Sequence, residues 1–151
     1  MPIYRALAPE SHARMAVSQD TEIVIEGFPR SANTFAVVAF TQAQGARQIR
    51  IAHHLHAEAQ VLAGVERKLP VIVLIRQPED AIRSLKIAFP DQDENRMLRL
   101  YLRFYRAVER VRDHVVIAEF TRTTSNFGSI LRQVNEKFGT DFAMFENSET
   151  S

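Results

Sequence analysis

The segment TEIVIEGFPRSANTF, residues 21–35, carries the clearest structural pattern of this chain. Its first seven residues are rich in β-branched side chains and stop at Gly-Phe-Pro, which predicts a buried strand followed by a turn. Residues 33–44 then predict a helix. A strand, a short polar turn and a helix in succession are typical of the parallel α/β class.

Strands and helices continue to alternate after this segment. Further strands are predicted over residues 49–54 (IRIAHH), 69–76 (LPVIVLIR) and 114–120 (HVVIAEF). Helices are predicted over residues 57–68, 78–88, 94–112 and 127–138, the last with Gly139 as its C-cap. This alternation predicts a three-layer α/β sandwich with a central parallel sheet and right-handed crossovers. We expect residues 1–151 to form one domain, with residues 1–20 as an N-terminal extension and 146–151 as a polar tail.

The composition excludes several classes of function. The 151 residues include 19 Lys and Arg and 18 Asp and Glu, so we do not expect the one-sided positive field that nucleic-acid binding needs. There is no cysteine, which excludes disulfides, zinc–thiolate sites and thiol nucleophiles and favours a cytoplasmic setting. No apolar run approaches the roughly 20 residues that span a bilayer, and the first residues lack a signal-peptide core, so membrane insertion is not expected.

The turn after the first strand has the features of an anion site. Ligands of such sheets bind beyond the carboxyl ends of the strands, and backbone amides at a helix N-terminus attract anions. The spacing matches the nucleotide-triphosphate loop GxxxxGK[ST] at Gly27 and Thr34, but Ala32 replaces the second glycine and Asn33 the lysine, which opposes ATP or GTP hydrolysis. Arg30 lies inside the loop and suits a phosphate or sulfate oxygen. The alternative is a plain polar turn in which Ser31 or Asn33 caps the helix.

The motif GFPRSANTF, residues 27–35, resembles the 5′-phosphosulfate-binding loop of the sulfotransferases, G-x-P-[KR]-S-G-[TN]-T-[WF], whose fold is related to the P-loop NTPases. The resemblance implies that the loop binds the donor 3′-phosphoadenosine-5′-phosphosulfate (PAPS) or its product adenosine 3′,5′-bisphosphate (PAP). The implied binding residues are Arg30, Ser31, Ala32, Asn33, Thr34 and Phe35. Ala32 stands where the family has glycine. If this position needs a backbone conformation that only glycine adopts freely, Ala32 weakens the site.

A second motif follows the third predicted strand. Residues 72–85, IVLIRQPEDAIRSL, resemble the family's 3′-phosphate segment R-[DN]-P-x-[DE]-x-x-x-S. The resemblance implies that Arg76 and Ser84 bind the 3′-phosphate, with Gln77 as a mild departure from the pattern. Otherwise Arg76 forms an ion pair with Asp80 or Glu79, and Ser84 is a solvated helix position.

Three histidines cluster at the end of the second predicted strand. The family's catalytic histidine, typically in K-T-H-x-P, is most similar to His54, with His53 and His56 as alternatives. By this resemblance, a neutral imidazole there would accept the proton of an attacking hydroxyl. The family's lysine is replaced by Ala52, which leaves Arg30 and backbone amides to stabilise the leaving group. No metal site is expected, because cysteine and a suitable carboxylate spacing are both missing.

The C-terminal third carries weaker signals. Residues 114–139 resemble the family's Y-E-D-L strand and following helix, so Glu119 either pairs with a cation near the nucleotide or caps the next turn. The family's segment R-K-G-x-x-G-x-W-K has no counterpart after Phe145. We expect its place to be filled by another chain, by residues 1–20, or not at all.

The long predicted helix over residues 94–112 carries arginines at helical spacing: Arg96, Arg99, Arg103, Arg106 and Arg110. We favour a solvated face paired with nearby glutamates. The alternative is contact with an anionic acceptor or with a partner subunit.

Together these resemblances imply a compact sulfotransferase-like enzyme. It would transfer a sulfuryl group from PAPS to a hydroxyl or amine of a small-molecule or glycan acceptor, without a metal, with His54 and Arg30 as catalytic residues. The alternative is a catalytically inactive nucleotide-binding module derived from the same fold, in line with Ala32, Ala52 and the missing C-terminal segment. A small-molecule kinase is a weaker third reading, opposed by the missing loop lysine. The sequence patterns neither predict nor exclude a homo-oligomer.

Overall fold

A parallel sheet forms the centre of the structure, a computed structural model that describes residues 14–144. Its four strands are β1 (Ile23–Gly27), β2 (Ile51–His53), β3 (Val71–Ile75) and β4 (Val116–Glu119), in the order β2-β1-β3-β4. All three neighbouring pairs are parallel. The predicted α/β class with a central parallel sheet is therefore confirmed. Most of the predicted N-terminal extension and the polar tail lie outside the described residues.

Helices connect and follow the strands. They are α1 (Asn33–Gln44), α2 (Glu58–Glu66), α3 (Pro78–Ala88), α4 (Glu94–Arg110), α5 (Phe120–Ser125) and α6 (Phe127–Phe138). The bounds of α1, α3 and α6 are as predicted, and Gly139 ends α6 in the left-handed conformation of a C-cap. A 3₁₀ turn, Arg112–His114, occupies the end of the predicted long helix and the start of the predicted last strand.

The short helix α5 was not predicted. Its sequence FTRTTS is rich in Thr and Ser, which have low helix propensity. The helix forms because the Glu119 carboxylate accepts hydrogen bonds from the backbone N–H groups of Thr121 and Arg122.

Helices cover both faces of the sheet, so the domain has two apolar cores. On one face, side chains of α1 and α6 pack against alternate strand residues such as Ile25 and Leu74. On the other face, α2, α3 and α4 pack against the intervening residues, such as Val24 and Val73. This double coverage explains why β3 is apolar throughout and β1 is apolar up to Glu26.

Helix α2 lies unusually close to the sheet at Gly64. A Cβ atom there would lie 2.8 Å from Val24 Cγ2 and 2.9 Å from Val71 Cγ2. Glycine therefore permits α2 to lie directly on β1 and β3. This close packing brings Gln60, on the same helix, against the carboxyl end of β1.

Within residues 14–144, no helix is both long enough and apolar enough to cross a membrane.

Candidate functional site

A cavity of about 480 Å³ opens at the carboxyl ends of β1, β2 and β3. Its lining combines polar and apolar side chains: Pro29, Arg30, Ala32, Asn33, Thr34, Phe35, His54, His56, Arg76, Ser84, Leu85, Phe89 and Phe120. Both motifs and two of the three histidines therefore meet in one cavity. Of the residues predicted to bind the nucleotide, Ser31 does not line the cavity, because its side chain is fully buried.

The β1–α1 loop, residues 28–32, has a strained backbone. Arg30 has φ 70°, and Ala32 has φ 75° and ψ 29°, both in the left-handed region that favours glycine. The sulfotransferase motif has glycine at the position of Ala32. The left-handed conformation of Ala32 is one that glycine adopts more easily than alanine.

Ala32 is also the N-cap of α1, so the alternative in which Ser31 or Asn33 caps this helix is not found. Asn33 is instead the first helical residue, and its Nδ2 donates to Phe28 O over 3.0 Å. Its side-chain Oδ1 is buried and has no hydrogen-bond partner within residues 14–144. Since the first-turn amides of a helix have no acceptor within the helix, the start of α1 presents N–H donors beside Arg30.

Two arginines from different motifs meet at this loop. Arg30 Nε donates to Ser84 Oγ over 2.9 Å, and Arg76 Nη1 donates to the Arg30 carbonyl oxygen over 3.0 Å. The Arg76 guanidinium also lies 4.1 Å from the centroid of the Phe120 ring, a cation–π contact that was not predicted.

Neither arginine has a carboxylate partner within the described residues. The alternative in which Arg76 pairs with Asp80 or Glu79 is not found, since Asp80 lies 3.6 Å from Arg83 instead. The cavity therefore contains two guanidinium charges that pair with no carboxylate of residues 14–144, an arrangement suited to a multiply charged anion.

The hydroxyl groups of two tyrosines of α4 form hydrogen bonds with the backbone at the ends of β1 and β3. The Tyr105 hydroxyl accepts a hydrogen bond from Phe28 N over 3.1 Å and donates to Leu74 O over 2.6 Å. The Tyr101 hydroxyl donates to the carbonyl oxygen of Arg76 over 2.6 Å. Burial raises the pKa of Tyr105, so this group stays a neutral hydroxyl. The spacing of these tyrosines along α4 indicates a buried helix face but not these hydrogen bonds.

The histidines take three distinct positions. His54 Nε2 lies 3.1 Å from the Thr34 hydroxyl, and His54 Nδ1 lies 2.7 Å from His53 Nδ1. The Nδ1–H of His56 donates to the carbonyl oxygen of Gly27 over 2.9 Å. Burial lowers the pKa of His54, and it lowers the pKa values of His53 and His56 to about 4 each, so all three are neutral at pH 7. Residues 14–144 contain no group of His, Asp and Glu that could hold a metal ion.

A buried glutamate, Glu26, fixes the segment that carries these histidines. Its carboxylate accepts hydrogen bonds from the backbone N–H groups of Leu55 (2.8 Å), His56 (3.1 Å) and Gly27 (3.2 Å) and from Gln60 Nε2 (3.0 Å). Burial raises its pKa to about 7, although each of these hydrogen bonds favours the ionised form. The only sequence signal for this role is one acidic residue among the apolar residues of β1, IVIEG.

The structure also shows the contacts of Glu119 and of the arginines on α4. Glu119 caps α5 rather than pairing with a cation, and its pKa is lowered mainly by the backbone N–H of Thr121. Among the arginines on α4, Arg103 pairs with Glu58 of α2 over 2.6 Å. This is the only ion pair of the five arginines within residues 14–144, while Arg99, Arg103, Arg106 and Arg110 are exposed, so the solvated part of the interpretation fits better than the pairing with glutamates.

The chain matches no family model, and no curated protein matches it. Among solved structures, it is similar to mouse sulfotransferase SULT7A1, whose crystal structure is of a complex with PAP. The TM-score is 0.59 at 13% sequence identity, and the match covers 94% of this chain. The chain spans 65% of the length of that sulfotransferase. At this identity the likeness establishes a sulfotransferase-like fold.

Proposed function

We propose that this chain binds an adenosine nucleotide with phosphates at both the 3′ and 5′ positions, and that it transfers the sulfuryl group of PAPS to a hydroxyl or amine. The observation that carries the proposal is the pair of guanidinium groups, Arg30 and Arg76, in one cavity beside the start of α1 and His54. Among the residues that the structure describes, neither group has a carboxylate partner. The PAP complex of the structurally similar sulfotransferase supports the choice of nucleotide.

In this proposal the nucleotide's two charged ends are bound by different elements. The N-terminal amides of α1, with Thr34 at its first turn, bind the 5′-phosphosulfate. Arg76 and Ser84 bind the 3′-phosphate, and Arg30 contributes to both because its side chain already contacts Ser84. The contact of Arg76 with the Phe120 ring keeps the guanidinium in place while its N–H groups face the ligand.

The proposed reaction is an in-line displacement at sulfur. The acceptor oxygen or nitrogen forms a bond to sulfur while the bond from sulfur to the bridging oxygen of the 5′-phosphate breaks. The electron pair of that bond leaves with adenosine 3′,5′-bisphosphate, and the acceptor's proton passes to Nε2 of His54. Because burial lowers the pKa of His54, the imidazole is neutral at pH 7 and can accept this proton. Arg30 and the backbone amides stabilise the charge that develops on the leaving phosphate.

The first test is calorimetric titration with adenosine 3′,5′-bisphosphate, AMP and ATP. We expect the bisphosphate to bind more tightly than AMP, because AMP lacks the 3′-phosphate. Arg76→Ala should weaken bisphosphate binding about 10- to 100-fold, the effect of losing a charge-assisted hydrogen-bonding partner. The matched control is Arg83→Ala, an exposed arginine on α3 that pairs with Asp80 and does not line the cavity. Equal affinity of Arg76→Ala and wild type would overturn the 3′-phosphate assignment.

The second test is turnover. With PAPS as donor and a panel of hydroxyl and amine acceptors, we expect release of adenosine 3′,5′-bisphosphate that His54→Ala abolishes. Selective nucleotide binding without transfer to any acceptor would instead favour the inactive binding module. Failure to bind any of the three nucleotides would overturn the proposed function.

A further inference from the structure

The paired imidazoles at the end of β2 are not explained by the proposed site alone. His53 is the last residue of β2, and His54 follows it with φ 56°, a left-handed backbone turn. This turn brings the two rings to 5.0 Å between centroids, at an interplanar angle of 86°. Their Nδ1 atoms are then 2.7 Å apart.

Two ring nitrogens at this distance share one hydrogen, so one Nδ1 donates and the other accepts. Burial lowers the pKa of both imidazoles, which leaves a neutral pair at pH 7 in which each ring carries one N–H. The direction of this hydrogen bond therefore fixes the tautomer of both rings. If His54 donates through Nδ1, its Nε2 keeps a lone pair, whereas if His54 accepts, its Nε2 carries the hydrogen.

The two rings are placed differently relative to the cavity. His54 lines it and faces the Thr34 hydroxyl through Nε2, while His53 is not among the lining residues. The tautomer of His54 thus decides whether the atom that faces the cavity accepts or donates a proton. His56 cannot set this tautomer through its own Nδ1, because that atom contacts the Gly27 carbonyl oxygen.

We propose that His53 is a positioning residue for His54: its Nδ1 accepts the Nδ1–H of His54 and holds the Nε2 lone pair of His54 toward the cavity. This inference rests on the proposed function, because a base needs an Nε2 lone pair and that need selects the direction of the hydrogen bond, whereas the contact between the two Nδ1 atoms is independent of it. A base whose far nitrogen is held by a hydrogen-bond acceptor keeps both its orientation and its tautomer during proton transfer. After His54 takes the acceptor's proton at Nε2, its Nδ1–H remains bonded to His53, which stabilises the imidazolium.

The test is the tautomer of His54, read from two-bond ¹H–¹⁵N correlation spectra of ¹⁵N-labelled protein without nucleotide, at a pH where the imidazoles are neutral. We expect the Nδ1–H form of His54 in the wild type. His53→Phe keeps a ring of similar size but removes the acceptor, so the Nε2–H form should become populated. His53→Asn places an amide oxygen near the former Nδ1 position and should restore the Nδ1–H form.

The spectra separate this proposal from the proposed function. A wild-type spectrum with His54 in the Nε2–H form would overturn the proposal whether or not nucleotide binds. So would a His54 tautomer that is unchanged in His53→Phe. If transfer is found, kcat should fall about 10²-fold in His53→Phe and recover largely in His53→Asn, while PAP affinity stays within twofold of wild type in both. Equal loss of kcat in both variants would also count against it.

Discussion

Replacing Glu26 with glutamine should change how the stability of this protein depends on pH. An unfolded glutamate loses its proton near pH 4.5, whereas burial raises the pKa of Glu26 to about 7. Between these values the folded chain holds one proton more than the unfolded chain. The contribution of Glu26 to stability is therefore fully present below pH 4.5 and is lost as pH rises through 7.

The magnitude follows from the size of the shift. Each unit of pKa corresponds to about 1.4 kcal/mol, so raising the pKa from 4.5 to about 7 amounts to about 3 kcal/mol over the whole window. About 2.5 kcal/mol of this falls between pH 5 and pH 8. Glutamine at this position does not titrate. Its side-chain NH2 group replaces an oxygen that accepted hydrogen bonds, so this NH2 group faces at least one N–H donor. The unfavourable contact adds a cost in stability that does not vary with pH.

The assay is urea unfolding of the wild type and Glu26→Gln at half-unit steps from pH 5 to pH 8. The histidines at this edge of the sheet have lowered pKa values and shift stability in the opposite direction with pH, so the informative quantity is the difference between the two proteins at each pH. That difference should move by about 2.5 kcal/mol in favour of the variant as pH rises from 5 to 8. Glu22→Gln, at an exposed position beside the same strand, controls for the loss of one charge.

A difference that stays constant with pH would refute the reasoning, since Glu26 would then have similar pKa values in the folded and unfolded chains. A difference that moves in favour of the wild type would show that the four hydrogen bonds outweigh burial and lower the pKa of Glu26.

Two further predictions concern the loop and its support. Ala32→Gly should raise stability by about 0.5 kcal/mol, because relief of the left-handed backbone outweighs the added freedom of the unfolded chain. Lys68→Gly, at φ 59° and remote from the cavity, should raise the free energy of unfolding in urea by a similar amount. A loss of stability in Ala32→Gly alone would contradict this. Tyr105→Phe should cost about 1–3 kcal/mol, because Phe28 N and Leu74 O both lose a partner. Tyr101→Phe breaks one contact and should cost less; the reverse order would be inconsistent with the described support.

Much of the fold could be predicted because its strands and helices are encoded locally. The apolar strand before Gly27 and the Pro at the start of α3 each mark an element through neighbouring residues. The convergence of Arg30, Arg76 and His54 could also be predicted, because parallel strands bring their carboxyl ends to one edge of the sheet. The unexpected burial of Ser31 depends on how the loop folds over α4, which no local pattern records.

The supporting residues could not be predicted for a related reason. Glu26 contacts residues about 30 positions away, and Tyr105 contacts Phe28 across 77 positions. Periodicity assigns a tyrosine to the buried face of a helix but does not say which carbonyl its hydroxyl will reach. The left-handed conformation of Ala32 was signalled only by the glycine that the sulfotransferase motif carries at that position.

The contacts among Arg30, Ser84 and Arg76 bear on how fast and how tightly a ligand associates. Long cationic side chains normally lose rotamer entropy when they close on an anion, about 0.5–1.5 kcal/mol for each one immobilised. Here the protein itself holds both guanidinium groups, through a hydroxyl, a backbone carbonyl and an aromatic ring. The two side chains therefore lose this entropy when the protein folds and not when a ligand binds. We expect a preorganised site that binds its ligand with little rearrangement of the backbone.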